Sequence, residues 1–114
     1  MSDKPLELSG YRGMWLFAMF DLPVDEKEKR RDYTRFRKQL LRQGFSMLQF
    51  SVYARYFSSQ ESSESHINRI RLFLPPEGEV RIMLVTDVQF GKMEVYYGKK
   101  RRKTEEPPQQ YTLF

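Results

Sequence analysis

A single acidic residue ends the most apolar stretch of this 114-residue sequence. Residues 15–20 are all apolar, and Asp21 and Pro23 follow them. Because both alternating sets of side chains are apolar, the run predicts a central strand with both faces buried. Pro23 cannot donate to a sheet ladder, so Asp21 is expected at the end of the strand, where a carboxylate can serve a functional site. A turn or a helix cap at Asp21 is the other interpretation, and its position leaves both open.

The side chains of most familiar catalytic sites are scarce in this chain. Cysteine is absent, which excludes disulfides, thiolate zinc sites and cysteine nucleophiles. His66 is the only histidine, so the chain has almost none of the residues that Ser-His-Asp triads and histidine zinc sites require. Residues 58–65 are rich in serine, but no base is available to activate the hydroxyl groups, and Ser58 with Glu61 has capping-box spacing. We expect His66 at the surface or at the core boundary.

Positive charge is concentrated in two segments of the sequence. The net charge is +5, and residues 27–42 hold eight basic residues against two acidic ones. Residues 99–103 add five basic residues in a row, which leaves the remainder of the chain acidic. Two dense basic patches on a small domain favour a polyanionic partner over the alternative of a merely solvated charged surface.

The first basic segment is predicted to be an amphipathic helix. Asp25 can cap its start, no proline or glycine interrupts residues 26–43, and Gly44 supplies the stop. At about 100° per residue, one side of this helix is apolar and consists of Tyr33, Phe36, Leu40 and Leu41. The opposite side, here called the basic row, consists of Lys27, Arg31, Arg35, Lys38 and Arg42. A helix docked on a sheet would present this row to phosphates. The second segment supplies the further nucleic-acid-binding candidates Lys99, Lys100, Arg101 and Arg102.

The rest of the chain predicts more strands and one more helix. The predicted elements are one strand, or two joined by a bulge, at 45–57, a helix at 61–73, and strands at 80–86 and 92–97, with a turn at 87–91. An extended spacer at 104–108 and a short alternating tail at 109–114 close the chain. We therefore divide the chain into a leader (1–10), one domain (11–98), and a basic linker with a tail strand (99–114).

This order of elements predicts an α+β protein with the ferredoxin-like βαββαβ fold, an antiparallel sheet and an additional C-terminal strand. Two helices would cover one face of the sheet. Since no further helix is predicted, a second copy is expected to cover the other face, sheet against sheet, with Leu16 and Phe20 as interface candidates. The tail residues Tyr111, Leu113 and Phe114 are candidates for pairing with a sheet edge in the same subunit or another. Such a homodimer would place two copies of Asp21 near one symmetry axis.

Nothing in the sequence indicates a membrane partner. No apolar run approaches the roughly 20 residues that a bilayer span needs, and residues 1–10 lack the basic-then-apolar pattern of a signal sequence. We therefore expect a cytoplasmic protein. Its modest length also favours oligomerisation, because a small domain buries a smaller share of its surface.

Three segments carry a resemblance to a known family. They read Tyr-Arg-Gly-Met-Trp-Leu-Phe-Ala-Met-Phe-Asp-Leu-Pro from residue 11, Phe-Arg-Lys-Gln-Leu-Leu-Arg-Gln-Gly-Phe from residue 36, and Leu-Gln-Phe-Ser-Val-Tyr-Ala-Arg from residue 48. Over residues 11–98 the chain resembles the Cas-two family of CRISPR-associated adaptation proteins. The segments are most similar to members from loci built around a Cas-nine effector.

The resemblance implies a symmetric dimer that bridges two dimers of the Cas-one integrase and holds protospacer duplex DNA before its insertion into the repeat array. Other adaptation or effector proteins of the locus are further partners that it implies. Asp21 matches the strand-end aspartate that in some members binds a divalent metal, here Mg²⁺, at the dimer axis and supports endonuclease activity on RNA or DNA. One carboxylate per chain is a sparse site for Mg²⁺, and nothing in the sequence fixes Asp25 or Asp87 beside Asp21. The non-catalytic scaffold is therefore the main expectation, and the endonuclease is the alternative.

Two further alternatives have similar size and fold. A VapD-like toxin ribonuclease remains open, and growth arrest on expression of the chain alone would support it. An RNA-recognition motif is disfavoured, because no strand shows the Lys/Arg-Gly-Phe/Tyr-Gly/Ala-Phe-Val-x-Phe/Tyr pattern whose aromatic residues stack on bases.

Overall fold

A computed structural model describes residues 13–108. The strands of its main sheet are β1 (Met14–Asp21), β2 (Ser46–Gln49), β3 (Val52–Phe57) and β4 (Glu79–Thr86). Helix α1 (Lys27–Arg42) follows β1, α2 (Gln60–Leu72) follows β3, and the short α3 (Asp87–Gly91) follows β4. The sheet is antiparallel with the order β2-β3-β1-β4, and β5 (Val95–Tyr97) pairs with β6 (Lys100–Arg102) in a separate hairpin. The predicted α+β fold of the ferredoxin-like type is confirmed.

Strand β1 lies at the centre of the sheet, as its apolar sequence predicts. It pairs along its length with β3 on one side and with β4 on the other. One set of its side chains, Leu16, Ala18 and Phe20, belongs to the core beneath α1 and α2. The other set, which begins with Trp15 and Phe17, faces the opposite side of the sheet. The two faces of one strand therefore supply two separate apolar clusters.

The core on the helix side is closed within one subunit. Phe36 of α1 packs edge-on against Phe20, with ring centroids 5.0 Å apart, and Leu40 and Ile70 join the same cluster. Leu16 and Phe20 are 0% and 7% exposed, so the prediction that they form the subunit interface is wrong. Their side chains point toward the helices rather than toward the open face of the sheet. Leu41 is 42% exposed, so the buried stripe of α1 is narrower than its sequence pattern suggested.

The opposite face of the sheet is partly covered by α3. Its Phe90 stacks on Trp15 with ring centroids 4.0 Å apart and an interplanar angle of 9°. The ring centroids of Phe90 and Phe17 lie 5.7 Å apart. The expectation that the chain has no further helix for this face, and only a turn at 87–91, is therefore wrong. The reason is local: Thr86 and Gln89 form a capping box, in which each side chain bonds the backbone N–H of the other.

Two other predicted segments fold differently from the expectation. Residues 45–57 form neither one strand nor two collinear ones, because the chain reverses at Phe50 and Ser51 and pairs β2 with β3 as a hairpin. Ser51 takes a positive φ of 64° in this reversal. The strand predicted at 92–97 shrinks to β5, and the basic run, expected as a linker, supplies its partner β6.

The remaining predictions fall outside this region or concern the membrane. The leader (1–10) and the tail residues Tyr111, Leu113 and Phe114 lie outside the described residues. None of the helices in the described part of the chain combines the length and the apolarity that crossing a membrane requires.

Candidate functional site

Asp21 is exposed at the end of β1, where the loop before β4 passes close to it. Gly78 in that loop has a φ of +97°, and a Cβ atom added to it would lie 2.8 Å from the Asp21 carbonyl oxygen. It would also lie 2.7 Å from Cδ2 of Leu22. Since both the backbone angle and the space require glycine, Gly78 fixes how β4 starts beside Asp21.

The start of β4 brings a second carboxylate to Asp21. Glu79 is the direct cross-strand partner of Asp21 in the antiparallel ladder. Side chains of such pairs share one face, with Cβ atoms about 4.5–5.5 Å apart. Arg81 Nη2 donates to Glu79 Oε2 at 3.0 Å, so part of the negative charge is balanced within the subunit. Glu79 was not predicted from the sequence, because only the register between β1 and β4 places it there.

These three side chains border an open cavity of about 210 Å³. Phe50 and Ser51, from the β2–β3 reversal, form part of its wall. The other two candidate acids are not part of it. Asp25 lies 3.7 Å from Lys29, and Asp87 follows Thr86, which pairs with Met14 at the far end of β1.

Two carboxylates are fewer than a closed metal site requires. Across the residues that the structure describes, no three His, Cys, Asp or Glu side chains gather as a metal-binding group. Mg²⁺ commonly binds through one or two carboxylates and keeps several waters, so Asp21 and Glu79 fit that ion as an open site. A second copy of the same pair would double the number of carboxylates.

The basic row is fully presented on the outer side of α1. All five of its side chains are exposed, whereas Phe36 and Leu40 on the opposite side of the helix are buried. Arg35 lies 3.4 Å from Asp32, and within residues 13–108 the other four have no carboxylate partner. The predicted separation of basic and apolar sides is confirmed, and contact with nucleic acid stays a prediction.

The second basic segment has a defined shape. Lys100, Arg101 and Arg102 form strand β6, and all three are exposed. The Arg102 guanidinium carbon lies 4.1 Å from the centre of the Tyr97 ring across the hairpin. Such a cation–π contact holds the arginine without neutralising it. The hairpin thus displays its charges on a structured element rather than on a loose linker.

Relatives of known family match nearly the whole chain. The family described as CRISPR associated protein Cas2 matches residues 14–93. A protein of Parvibaculum lavamentivorans is 50% identical over 101 residues, covering 89% of this chain and 100% of the relative. One of Flavobacterium psychrophilum is 48% identical over 107 residues, covering 94% and 93%. Both are named CRISPR-associated endoribonuclease Cas2. The central strand, its terminal aspartate and the matching sequence together place this chain in the Cas2 family.

Proposed function

We propose that this chain is a subunit of CRISPR adaptation that holds duplex DNA through its phosphates. The observation that carries the proposal is the exposed basic row on the side of α1 opposite Phe36 and Leu40. Phosphate contacts position a duplex without reading its sequence. That property suits a protein that must accept unrelated protospacers before their insertion into a repeat array. The proposed partners are a second copy of the chain and the Cas-one integrase, in the cytoplasm.

A sheet-to-sheet homodimer is part of this proposal. Met83 pairs with Phe17 on the face that α3 covers only in part, and it is 45% exposed. Met19 and Val52 lie on the same face and are half-buried. A second copy packed there would remove this apolar surface from water. Because Asp21 ends the same face of β1, the two Asp21–Glu79 pairs would then lie close to one axis.

The salt dependence of DNA binding tests the phosphate contacts. Each lost contact should make the slope of log affinity against log salt shallower by about 0.9. Arg31 and Arg35 replaced together by Gln keep helix propensity and leave the buried side of α1 unchanged. We expect a shallower slope and nearly equal losses for unrelated duplex sequences, measured by fluorescence anisotropy across a salt series.

The matched control is the double change of Arg101 and Arg102 to Gln in β6. An unaltered slope in the α1 variant would remove the basic row from the DNA path. A large change only in the β6 variant would assign the DNA to the hairpin instead.

A metal-dependent endonuclease is the second candidate, and the pairing of Asp21 with Glu79 favours it. Several relatives carry endoribonuclease in their names. Asp21 and Glu79 would hold Mg²⁺, which supplies charge stabilisation at a phosphoryl oxygen and an activated water. Arg81, bonded to Glu79, would orient that carboxylate and attract the scissile phosphate.

Cleavage of RNA and DNA across a Mg²⁺ titration separates the two functions. Asp21→Asn and Glu79→Gln should each abolish cleavage if the carboxylates hold the ion, whereas Asp25→Asn should not. A second assay measures spacer integration by the Asp21→Asn variant together with the integrase, and it tests the DNA-holding function. Integration that persists without cleavage supports the DNA-holding role, and joint loss of both supports the enzyme.

A further inference from the structure

A separate cluster of basic side chains lies where the end of α1 meets β3 and α2. They border an open cleft of about 420 Å³, together with Gln43 and Gly44. We call it the Arg55 cleft, and its basic side chains are Arg42 from α1, Arg55 from β3, and His66 and Arg69 from α2. Among the described residues, none of these four has a carboxylate partner. The basic row lies along one helix, whereas the side chains of the cleft come from three elements and border one common space.

Arg55 is held in place while part of its guanidinium stays available. Its Nη1 donates to the Gln43 carbonyl oxygen at 2.6 Å and to His66 Nε2 at 2.7 Å. The guanidinium carbon lies 4.5 Å from the centre of the Phe57 ring. Within residues 13–108, Nε and Nη2 have no acceptor. Gly44, which has a φ of +85°, lies beside Nε, where an added Cβ would be in ordinary contact at 3.4 Å. On the other side, Glu105 and Glu106 line a neighbouring cavity together with Gly44 and Arg55, and neither forms an ion pair with Arg55.

The hydrogen-bond partners of His66 indicate which ring nitrogen carries the proton. Arginine only donates, so Nε2 of His66 must accept the bond from Arg55. Nδ1 lies 3.3 Å from the Ser62 carbonyl oxygen, which only accepts, so Nδ1 carries the proton. Burial lowers the pKa of His66, against the bond to Ser62, and the charges of Arg55 and Arg69 lower it further. In this arrangement Nε2 accepts from Arg55, and the positive charges of Arg55 and Arg69 oppose a second proton on the ring.

We propose that the Arg55 cleft binds a phosphate group and that binding is coupled to the uptake of one proton by His66. An anion among Arg42, Arg55 and Arg69 would offset the repulsion that opposes a charged ring. The proton comes from solvent to Nε2, which changes from acceptor to donor and turns toward the anion. Arg55 keeps its bond to Gln43 and directs its other N–H groups at the same oxygens. The ligand is inorganic phosphate or a phosphate of a nucleic acid.

The test follows His66 directly, since it is the only histidine and its ring signal in an NMR spectrum needs no assignment. Sulfate is the probe, because it stays a dianion across the titration and so adds no proton of its own. At equal ionic strength, sulfate in place of chloride should raise the pKa of His66 by about 1. Reciprocally, sulfate should bind about tenfold more tightly once the ring is protonated. An equal His66 pKa in the two salts would overturn the proposal.

Matched variants on α2 separate the cleft from a general charge effect. Arg69→Gln should weaken sulfate binding by about tenfold, whereas Arg71→Gln, whose guanidinium bonds Asn68 at 2.7 Å outside the cleft, should not change it. For each variant, the quantity compared is the difference between the His66 pKa in sulfate and in chloride. This difference is needed because the loss of Arg69 alone also changes the pKa of His66. Equal effects of the two variants would contradict the site. His66→Gln should retain sulfate binding by calorimetry and lose its dependence on pH.

The source of the phosphate is identified by comparing the affinity of the protein for two duplexes, one with and one without a terminal phosphate. A loss of affinity in Arg69→Gln for the phosphorylated duplex alone assigns a terminal phosphate, and equal losses assign the backbone. If Arg69→Gln lowers the affinity for neither duplex but still weakens sulfate binding, the ligand is the free anion. Arg42 belongs to both the basic row and the cleft, but Arg31 and Arg35, which are changed to test the basic row, do not line the cleft. The two tests therefore change different residues. If the Arg31 and Arg35 variant shows the expected shallower salt dependence of DNA binding but sulfate leaves the His66 pKa unchanged, only the inference about the cleft is overturned.

Discussion

His66 makes the stability of the protein depend on pH in a defined direction. Burial and two arginines lower its pKa below the ordinary value of 6.5, and unfolding removes both causes. The unfolded chain therefore takes up the proton first as the pH falls. The stability contributed by the neutral ring is complete above about pH 6.5 and is lost progressively below it.

His66→Gln should therefore flatten the pH profile of stability. Between about pH 7.5 and pH 5.5, the free energy of unfolding should fall less in the variant than in the wild type. Denaturant titrations in a chloride buffer, without sulfate or phosphate, measure the difference. Parallel profiles of the two proteins would show that His66 is protonated in the same way in the folded and unfolded states.

The residues of the candidate sites differ in how far sequence alone could place them. Asp21 was placed correctly at the end of β1, because an apolar run followed by proline leaves few positions for the strand to end. The half-buried position of His66 also agrees with the expectation. Glu79 and the contact of Arg55 with His66 could not be predicted, since each depends on how two separate elements pack. A local pattern carries no information about such a register.

Helix α3 is expected to be a structural element despite having only five residues. Phe90→Ala would remove the ring that stacks on Trp15 and should destabilise the protein by about 3 kcal/mol. Val88→Ala is the matched control on the same helix, because Val88 is 52% exposed and should change stability by less than about 0.5 kcal/mol. Thermal and denaturant unfolding measure both. Equal stability of the two variants would mean that α3 does not stabilise the sheet.

The sequence predicts the long elements correctly and the short ones incorrectly. Periodicity predicted α1 and α2 well, because each spans three or more turns. Helix α3 is too short for a period, and the spacing of Thr86 and Gln89 was its only signal. The β2–β3 reversal was missed because its positive-φ position holds Ser51 rather than glycine or asparagine. Its two strands therefore read as one alternating segment.

The assembled molecule should depend on the apolar face that α3 leaves uncovered. Met83→Glu places a charge there and should convert the proposed dimer to a folded monomer, because a buried unpaired charge is costly. Leu72→Glu is the control, since Leu72 is 87% exposed on α2, on the other side of the sheet. Sedimentation and circular dichroism report mass and folding. A Met83→Glu variant that remains dimeric would rule out a sheet-to-sheet interface through this residue.

The central position of β1 also determines the order in which the chain can fold during synthesis. Its eight residues emerge early, but its two neighbours are β3 and β4, and β4 ends at Thr86. At roughly 5–20 residues per second, the approximately 65 residues from Asp21 to Thr86 take about 3 to 13 seconds. For that time the most apolar strand of the protein has an unpaired edge, which is a site for aggregation. The yield of soluble protein therefore depends on how soon β4 leaves the ribosome.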